Sequence, residues 1–224
     1  MLKENILKIL NDISRGNDRG EKITLVAATK TVSVDVINQA ISFGVEVVAE
    51  NKVQEFREKT ALLAPCTQHF IGHLQMNKVK YLVGNVALIH SVDNLSLAAA
   101  INAQAAKKGV VQDILLEVNV GGEQSKSGFE YGSTASAAHE ITDTLPNVRV
   151  KGLMAMMPLY AETEELCGLF DKMRALYDGL KKDGYPFEFL SMGMSGDYKT
   201  AIAHGSNTIR IGTAIFGARN YGGK

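Results

Sequence analysis

The sequence has few cysteines, no excess of charge of either sign and no long apolar segment. Its two cysteines, Cys66 and Cys167, lie far apart and lack CxxC or Cys/His spacing, so a disulfide framework or a zinc site has no support. Its 24 basic and 24 acidic residues give a net charge of zero, which provides no long-range field to collect nucleic acid or an anionic membrane. No segment approaches the roughly 18 uninterrupted apolar residues of a membrane span. We therefore expect a protein that binds small molecules, with no nucleic-acid partner, membrane partner or metal.

The first residues read as an amphipathic helix. Leu2, Ile6, Leu10 and Ile13 recur near helical spacing with charged residues between them, whereas a secretory signal has an unbroken apolar core. We expect a cytoplasmic protein. The length of 224 residues favours one domain over residues 1–224, because α/β barrels of about 200–250 residues commonly form one domain.

From residue 23 onward, short apolar runs alternate with longer amphipathic segments. Eight runs read as strands: ITLVAA, VEVVAE, QHFIGH, VALIHS, DILLEV, VRVKGLMAM, FEFLSMGM and TIRIG. The helical patterns between them cover 34–43, 51–63, 94–107, 134–145, 163–182 and 195–203. This alternation predicts an α/β protein with a parallel sheet. Eight units favour a closed TIM-type (β/α)8 barrel with an extra N-terminal helix, and an open doubly wound sheet is the structural alternative.

The carboxyl ends of the last two runs are rich in glycine and small polar residues. Barrels frequently bind a phosphate group after these two strands, through backbone amides and a helix N-terminus. We expect Ser195 to cap the following helix, and Gly196 and Gly212 to let main-chain N–H groups approach an anion. Together with Thr213, these residues predict an anion site.

Lys30 stands at the end of the first apolar run. If the barrel closes, the eighth strand pairs with the first, and Lys30 becomes a neighbour of the anion site. A buried strand end disfavours the charged amine and so favours the neutral form that attacks a carbonyl. The pairing predicts a phosphorylated aldehyde as ligand. Two reactions fit: Schiff-base binding of pyridoxal phosphate, and an aldolase-type imine with a sugar phosphate.

Eight stretches together resemble the pyridoxal phosphate homeostasis proteins, a single-domain family related to the barrel of alanine racemase. They are VAATKTV, AENKVQEF, HFIGHLQMNKVK, IHSVD, LLEVNVGGEQSKSGF, KGLMAM, LSMGMSGDYKTAI and IRIGTAIFGAR, in the order of the family. The resemblance implies that Lys30 forms an internal aldimine with pyridoxal 5'-phosphate. It implies a phosphate cradle that contains Ser195, Gly212 and Thr213. It also implies that Arg210 faces the pyridine nitrogen and that Asn51 lies near the ring.

Two further polar residues follow predicted strands. His73 has two readings, contact with the ligand or a hydrogen-bonded structural role. Lys126 lies in the glycine-rich stretch QSKSGF and is a candidate for a lid over the barrel mouth. We expect five methionines at the ends of predicted strands to shape the barrel interior: Met154, Met156, Met157, Met192 and Met194.

The sequence favours a protein that holds, buffers or delivers the cofactor over a racemase-like enzyme. Barrel racemases of this type usually add a β-rich domain that supplies a tyrosine base, and this chain ends at Lys224, directly after the eighth unit. Racemisation needs two placed acid/base groups, and only Lys30 is evident. An aldolase is disfavoured because no set of carboxylate or lysine partners is evident at the strand ends. We expect a monomer whose partners are the cofactor and apo forms of pyridoxal phosphate-dependent enzymes, with racemase-like activity as the alternative.

Overall fold

A computed structural model describes residues 1–123, 126–158 and 162–217 of the chain. In these ranges the strands are β1 (Thr24–Ala28), β2 (Val47–Glu50), β3 (Thr67–Phe70), β4 (Leu88–Val92), β5 (Gln112–Asn119), β6 (Phe129–Glu130), β7 (Val148–Met154), β8 (Phe189–Ser191) and β9 (Thr208–Ile211). All pair in parallel, in the order β4-β3-β2-β1-β9-β8-β7-β5, and a further pairing of β4 with β5 closes the ring. The two-residue strand β6 pairs only with the end of β5. The predicted closed eight-stranded barrel is confirmed, and each predicted run overlaps one of its strands.

Helices surround the barrel. They are α1 (Leu2–Ile13), α2 (Val34–Ser42), α3 (Val53–Lys59), α4 (Val79–Leu82), α5 (Leu95–Lys108), α6 (Thr134–Thr144), α7 (Thr163–Lys182), α8 (Tyr198–Ala203) and α9 (Thr213–Phe216). The extra N-terminal helix is therefore present as predicted. Within the described ranges, no helix is long and apolar enough to cross a membrane.

The core has two parts because strand side chains alternate between the two faces of a barrel. Outward-facing residues such as Phe70 and Ile114 pack with the helices in a large apolar cluster. Inside the barrel, Leu88, Leu115 and Met154 form a much smaller cluster. Val26, Val47 and Ala49 form a second small cluster inside the barrel, and the interior also holds buried polar side chains such as His90 and Ser191.

The predicted role of Ser195 as a helix cap is wrong. Helix α8 begins after Asp197, whose carboxylate accepts a hydrogen bond from the Met194 N–H at 2.5 Å. Ser195 lies within this turn, where its hydroxyl accepts a hydrogen bond from the backbone N–H of Ala214 at 3.1 Å. Ser195 thus ties the loop after β8 to the loop after β9 instead of capping a helix.

Candidate functional site

A cavity of about 460 Å³ opens at the carboxyl end of the barrel. All seven residues predicted for the site line it: Lys30, Asn51, Ser195, Gly196, Arg210, Gly212 and Thr213. The lining also includes His73, Glu117, Ser127, Met154, Met156 and Met194. Residues separated by most of the chain meet here because β9 pairs with β1.

Lys30 lies two residues after the end of β1, and the backbone before it is held by hydrogen bonds. The carbonyl of Thr29 accepts a hydrogen bond from Lys59 Nζ at 3.0 Å, and the Thr29 hydroxyl donates to Glu50 Oε1 at 2.7 Å. Lys59 also donates to Glu50 Oε1 at 2.9 Å. Lys30 is half-buried, and its amine has no hydrogen-bond or ion-pair partner among the residues that the structure describes. It is therefore available to a ligand in the cavity.

Glu50 has a structural role. It is buried, and its burial raises the pKa of the carboxyl above the usual value, although Lys59 and Thr29 act in the opposite direction. Its contacts with Lys59 and Thr29 fix the end of β1 rather than any group in the cavity, since Glu50 is not part of the lining.

Four backbone N–H groups form the polar wall on the side of β8 and β9. No acceptor in the described ranges pairs with the N–H groups of Ser195, Gly196, Gly212 or Thr213. The loop after β8 is tied to β9 at this point, because the Arg210 N–H donates to the carbonyl of Gly193 at 3.0 Å. Unpaired N–H groups of residues that line one cavity are suited to binding an anion.

Arg210 on β9 supplies a buried cation. Its Nη1 donates to the carbonyl and the hydroxyl of Ser191 at 2.8 and 2.7 Å, and its Nη2 donates to the carbonyl of Ala155 at 2.9 Å. Burial lowers the pKa of Arg210 to about 10, while Glu117 and Asp197 oppose this shift. Arg210 therefore stays protonated at neutral pH and can only donate hydrogen bonds.

Glu117 is a cavity residue that the sequence reasoning missed. Burial raises the pKa of its carboxyl, and Asp93 raises it further, while Arg210 and His73 lower it. Its only signal in the sequence is a carboxylate within the apolar strand DILLEVN. A buried acid with a raised pKa can exchange protons with a bound ligand.

His73 and Lys126 occupy different positions relative to the cavity. His73 lines it, yet 64% of its side chain is exposed and its Nδ1 lies 3.4 Å from Asp93 Oδ2. Lys126 is not a lining residue and pairs with Glu123 at 2.6 Å. His73 therefore fits both readings, ligand contact and structural pairing, and the role of Lys126 as a lid stays a prediction.

Asn51 contributes an orphaned acceptor. Its Oδ1 is buried and has no partner among the described residues, and buried polar atoms are normally paired. The oxygen and nitrogen of an amide are assigned from their surroundings, so either atom can face a ligand. Asn51 therefore fits a ligand with a polar substituent.

The described residues contain no group of three His, Cys, Asp or Glu side chains that could hold a metal ion. The cavity instead combines a free amine, an anion-binding wall, a cationic donor and a buried acid. This donor set fits a phosphorylated aldehyde whose ring carries a hydrogen-bond acceptor.

A comparison with known proteins first identifies the class of protein that shares this fold. The sequence model described as the alanine racemase N-terminal domain matches residues 3–220. Alanine racemase of Clostridium difficile has the same fold, with a TM-score of 0.77 at 16% identity, over 97% of this chain and 57% of the racemase chain.

More similar relatives narrow the class to one family. A pyridoxal phosphate homeostasis protein of Aquifex aeolicus is 43% identical over 97% of this chain and 98% of its own length. One from Pseudomonas aeruginosa is 36% identical over 99% and 97%. The chain belongs to the family of pyridoxal phosphate homeostasis proteins. The solved structure of PipY of Synechococcus elongatus with pyridoxal phosphate bound has a TM-score of 0.83 at 28% identity, over 97% of this chain and all of PipY.

Proposed function

We propose that this protein binds pyridoxal 5'-phosphate in the cavity, holds it covalently on Lys30, and stores and delivers it inside the cell. One observation carries the proposal: a lysine amine and four backbone N–H groups, none of which has a partner among the described residues, belong to residues that line the same cavity. The names of the relatives and the ligand of PipY support this choice of cofactor.

Different lining residues of the cavity bind different parts of the cofactor. The N–H groups of Ser195, Gly196, Gly212 and Thr213 bind its phosphate. Arg210 donates to the pyridine nitrogen, and Asn51 pairs with a polar group on the ring. Pyridoxal phosphate supplies an aldehyde, with which the Lys30 amine condenses to a Schiff base with loss of one water molecule.

Borohydride reduction tests the covalent link. After reduction of the protein loaded with pyridoxal phosphate, peptide mapping should place the adduct on Lys30. Lys30→Ala should fold, because the side chain lies at the barrel mouth, and should lose the visible absorbance of the Schiff base. Lys126→Ala is the matched control and should keep it. An adduct on Lys78, Lys80 or Lys126 would refute the assignment.

We propose storage and delivery rather than strong turnover because of Arg210. Enzymes that use this cofactor as an electron sink commonly hold its nitrogen protonated with a carboxylate. An arginine cannot accept that proton, so the pyridine nitrogen stays neutral. The cofactor then stabilises less well the carbanion that forms when a substrate loses a proton. Exchange of the cofactor between Lys30 and another amine needs no such step. Transfer of cofactor to an apo-enzyme, measured by recovery of that enzyme's activity, should therefore be readily detected.

Glu117 favours a second candidate, racemase-like activity, because it adds a titratable group to the cavity. Alanine racemisation should be undetectable or very weak under our proposal. Robust racemisation that is lost in both Lys30→Ala and Glu117→Gln would establish the second candidate instead.

We also propose that residues 1–224 act as one domain and as a monomer in solution. Light scattering should give a mass near 24.2 kDa, and a mass of twice this value would contradict the proposal.

A further inference from the structure

A chain of buried polar side chains leads from Arg210 into the barrel interior. Arg210 Nη1 lies 2.7 Å from Ser191 Oγ, Ser191 Oγ lies 3.0 Å from His90 Nδ1, and His90 Nε2 lies 3.0 Å from His69 Nδ1. Ser191 and His90 have no exposed surface, and His69 is 4% exposed. Of these four residues only Arg210 lines the cavity.

The permanent charge of Arg210 sets the direction of every hydrogen bond in this chain. Because Arg210 can only donate, Ser191 Oγ accepts from it, and the hydroxyl proton of Ser191 has to find another acceptor. Among the described residues that acceptor is His90 Nδ1. His90 then carries its proton on Nε2 and donates to His69 Nδ1, which puts the proton of His69 on Nε2. The opposite direction would leave the Ser191 hydroxyl proton buried without a partner, which is costly.

Hydrogen bonds to protein groups occupy both terminal nitrogens of the Arg210 side chain. Nη1 donates twice to Ser191, and Nη2 donates to the Ala155 carbonyl at 2.9 Å and to Met156 Sδ at 3.1 Å. Nε–H is the one N–H group of this side chain that has no acceptor in the described part of the chain. It is thus the donor left for a ligand.

We propose that Ser191, His90 and His69 are positioning residues that lock the plane of the Arg210 guanidinium, so that its Nε–H is presented to an acceptor atom of the ligand. They form a relay of neutral side chains in which each one donates to the next. The inference rests on the proposed function only in taking the pyridine nitrogen of pyridoxal phosphate as that acceptor atom.

The surroundings keep both histidines neutral. Burial holds the pKa of His90 well below its usual value, and His69 and Arg210 add to this effect. Burial also lowers the pKa of His69 to about 4. The carboxylates that act on Arg210 are Glu117 and Asp197, and neither is hydrogen-bonded to the relay. Because the pKa of His69 is about 4 and that of Arg210 about 10, the relay is expected to keep its direction between roughly pH 5.5 and 8.5.

Nuclear magnetic resonance of the ligand-free protein, labelled with ¹⁵N in histidine, tests the relay directly. Long-range ¹H–¹⁵N spectra should show both His69 and His90 as neutral rings protonated on Nε2 throughout that pH range. Protonation of His90 on Nδ1, or a charged ring, would overturn the relay. Because no cofactor is present, this result does not depend on the proposed function.

Two buried serines provide a matched pair of variants. Ser191→Ala removes one hydrogen bond to Arg210 and should raise the Kd for pyridoxal phosphate roughly tenfold. It should also shift the absorbance maximum of the bound cofactor, because the donor at the ring moves. Ser206→Ala removes a hydroxyl that is equally buried but, among the described residues, donates only to the carbonyls of Leu190, Met192 and Thr208. It should lower stability and leave both the Kd and the spectrum unchanged.

The outcomes separate the two proposals. Equal effects of Ser191→Ala and Ser206→Ala on the Kd and the spectrum would reduce Ser191 to a structural residue and refute the positioning role. Failure of the wild-type protein to bind pyridoxal phosphate, together with the expected histidine spectra, would refute the proposed function and leave the relay intact.

Discussion

The backbone N–H of Thr31 donates to Glu55 Oε2 at 2.6 Å, although Thr31 has a φ of 62°. Among the described residues, no other residue except glycine has a positive φ. A β-branched residue in this region costs about 1–3 kcal/mol, so the contact with Glu55 compensates for strain directly after Lys30. Glu55 is itself held by Lys59, whose Nζ lies 2.8 Å from the same oxygen.

Glu55 should therefore stabilise the turn that carries Lys30. Glu55→Ala removes an acceptor for Thr31 and an ion-pair partner of Lys59, and we expect a loss of about 1.5–3 kcal/mol in the free energy of unfolding. Glu55→Gln keeps an acceptor oxygen and should lose less. Urea unfolding measures both values, and the rate of Schiff-base formation with pyridoxal phosphate should fall in the same order. Equal stability of the wild type and Glu55→Ala would contradict this role.

Gly72 should be needed for the position of Asn51. A Cβ at residue 72 would lie 2.0 Å from the backbone oxygen of Asn51, so the loop after β2 would have to move. We expect Gly72→Ala to cost about 1–3 kcal/mol, as overpacking does, and to weaken cofactor binding. Gly168→Ala is the control, since a Cβ there meets nothing within 4 Å and removal of a helical glycine should stabilise the protein by about 0.5–1 kcal/mol. Thermal unfolding that ranks Gly72→Ala at or above wild type would show that the loop adapts freely.

Glu21 should make stability depend on pH in the acid range. Burial on its own would raise the pKa of Glu21, but hydrogen bonds from Arg174 at 2.6 Å and Asn17 at 2.8 Å bring it below the usual value. A carboxyl with a lowered folded-state pKa stabilises the protein above its unfolded-state pKa, and this contribution is lost as the pH falls through the folded-state value.

We therefore expect Glu21→Gln to cost about 1.5–3 kcal/mol at pH 7, and the difference from wild type to shrink as the pH falls through the lowered folded-state pKa of Glu21. Urea unfolding at several pH values measures this, with the exposed Glu140→Gln as the control. If the difference in the free energy of unfolding between the two proteins stays constant down to the lowest pH at which both fold, the charge of Glu21 does not contribute to stability.

The phosphate group should provide much of the cofactor's affinity. Hydrogen bonds to a charged group are worth about 1.5–3 kcal/mol each, so the N–H groups beside Ser195 and Thr213 should favour pyridoxal phosphate over pyridoxal by orders of magnitude. Competition between the two ligands measures the ratio. Similar affinities would show that the phosphate is not bound by this wall.

The sequence predicts the barrel well because strand order follows directly from a repeated local pattern. Eight apolar runs separated by amphipathic segments leave few alternative strand orders once the first and last strands must pair. As expected, β9 pairs with β1. The position of Lys30 after the first run is enough to place it beside the loop of Gly212. The prediction that Ser195 caps helix α8 failed because Ser195 and Asp197 both lie in the short loop before this helix. The local sequence does not show which of the two takes the cap position.

The sequence by itself determined the alternation of strands and helices, the lysine at the end of β1 and the glycine-bearing loops after β8 and β9. Only the tertiary structure decided which polar side chains of the strands face one another inside the barrel. Glu117, His69, His90 and Ser191 lie on different strands, and their contacts depend on strand register and barrel closure. Periodicity in a sequence predicts which side chains of one strand share a face. A hydrogen bond across the barrel depends on the positions of two strands relative to each other.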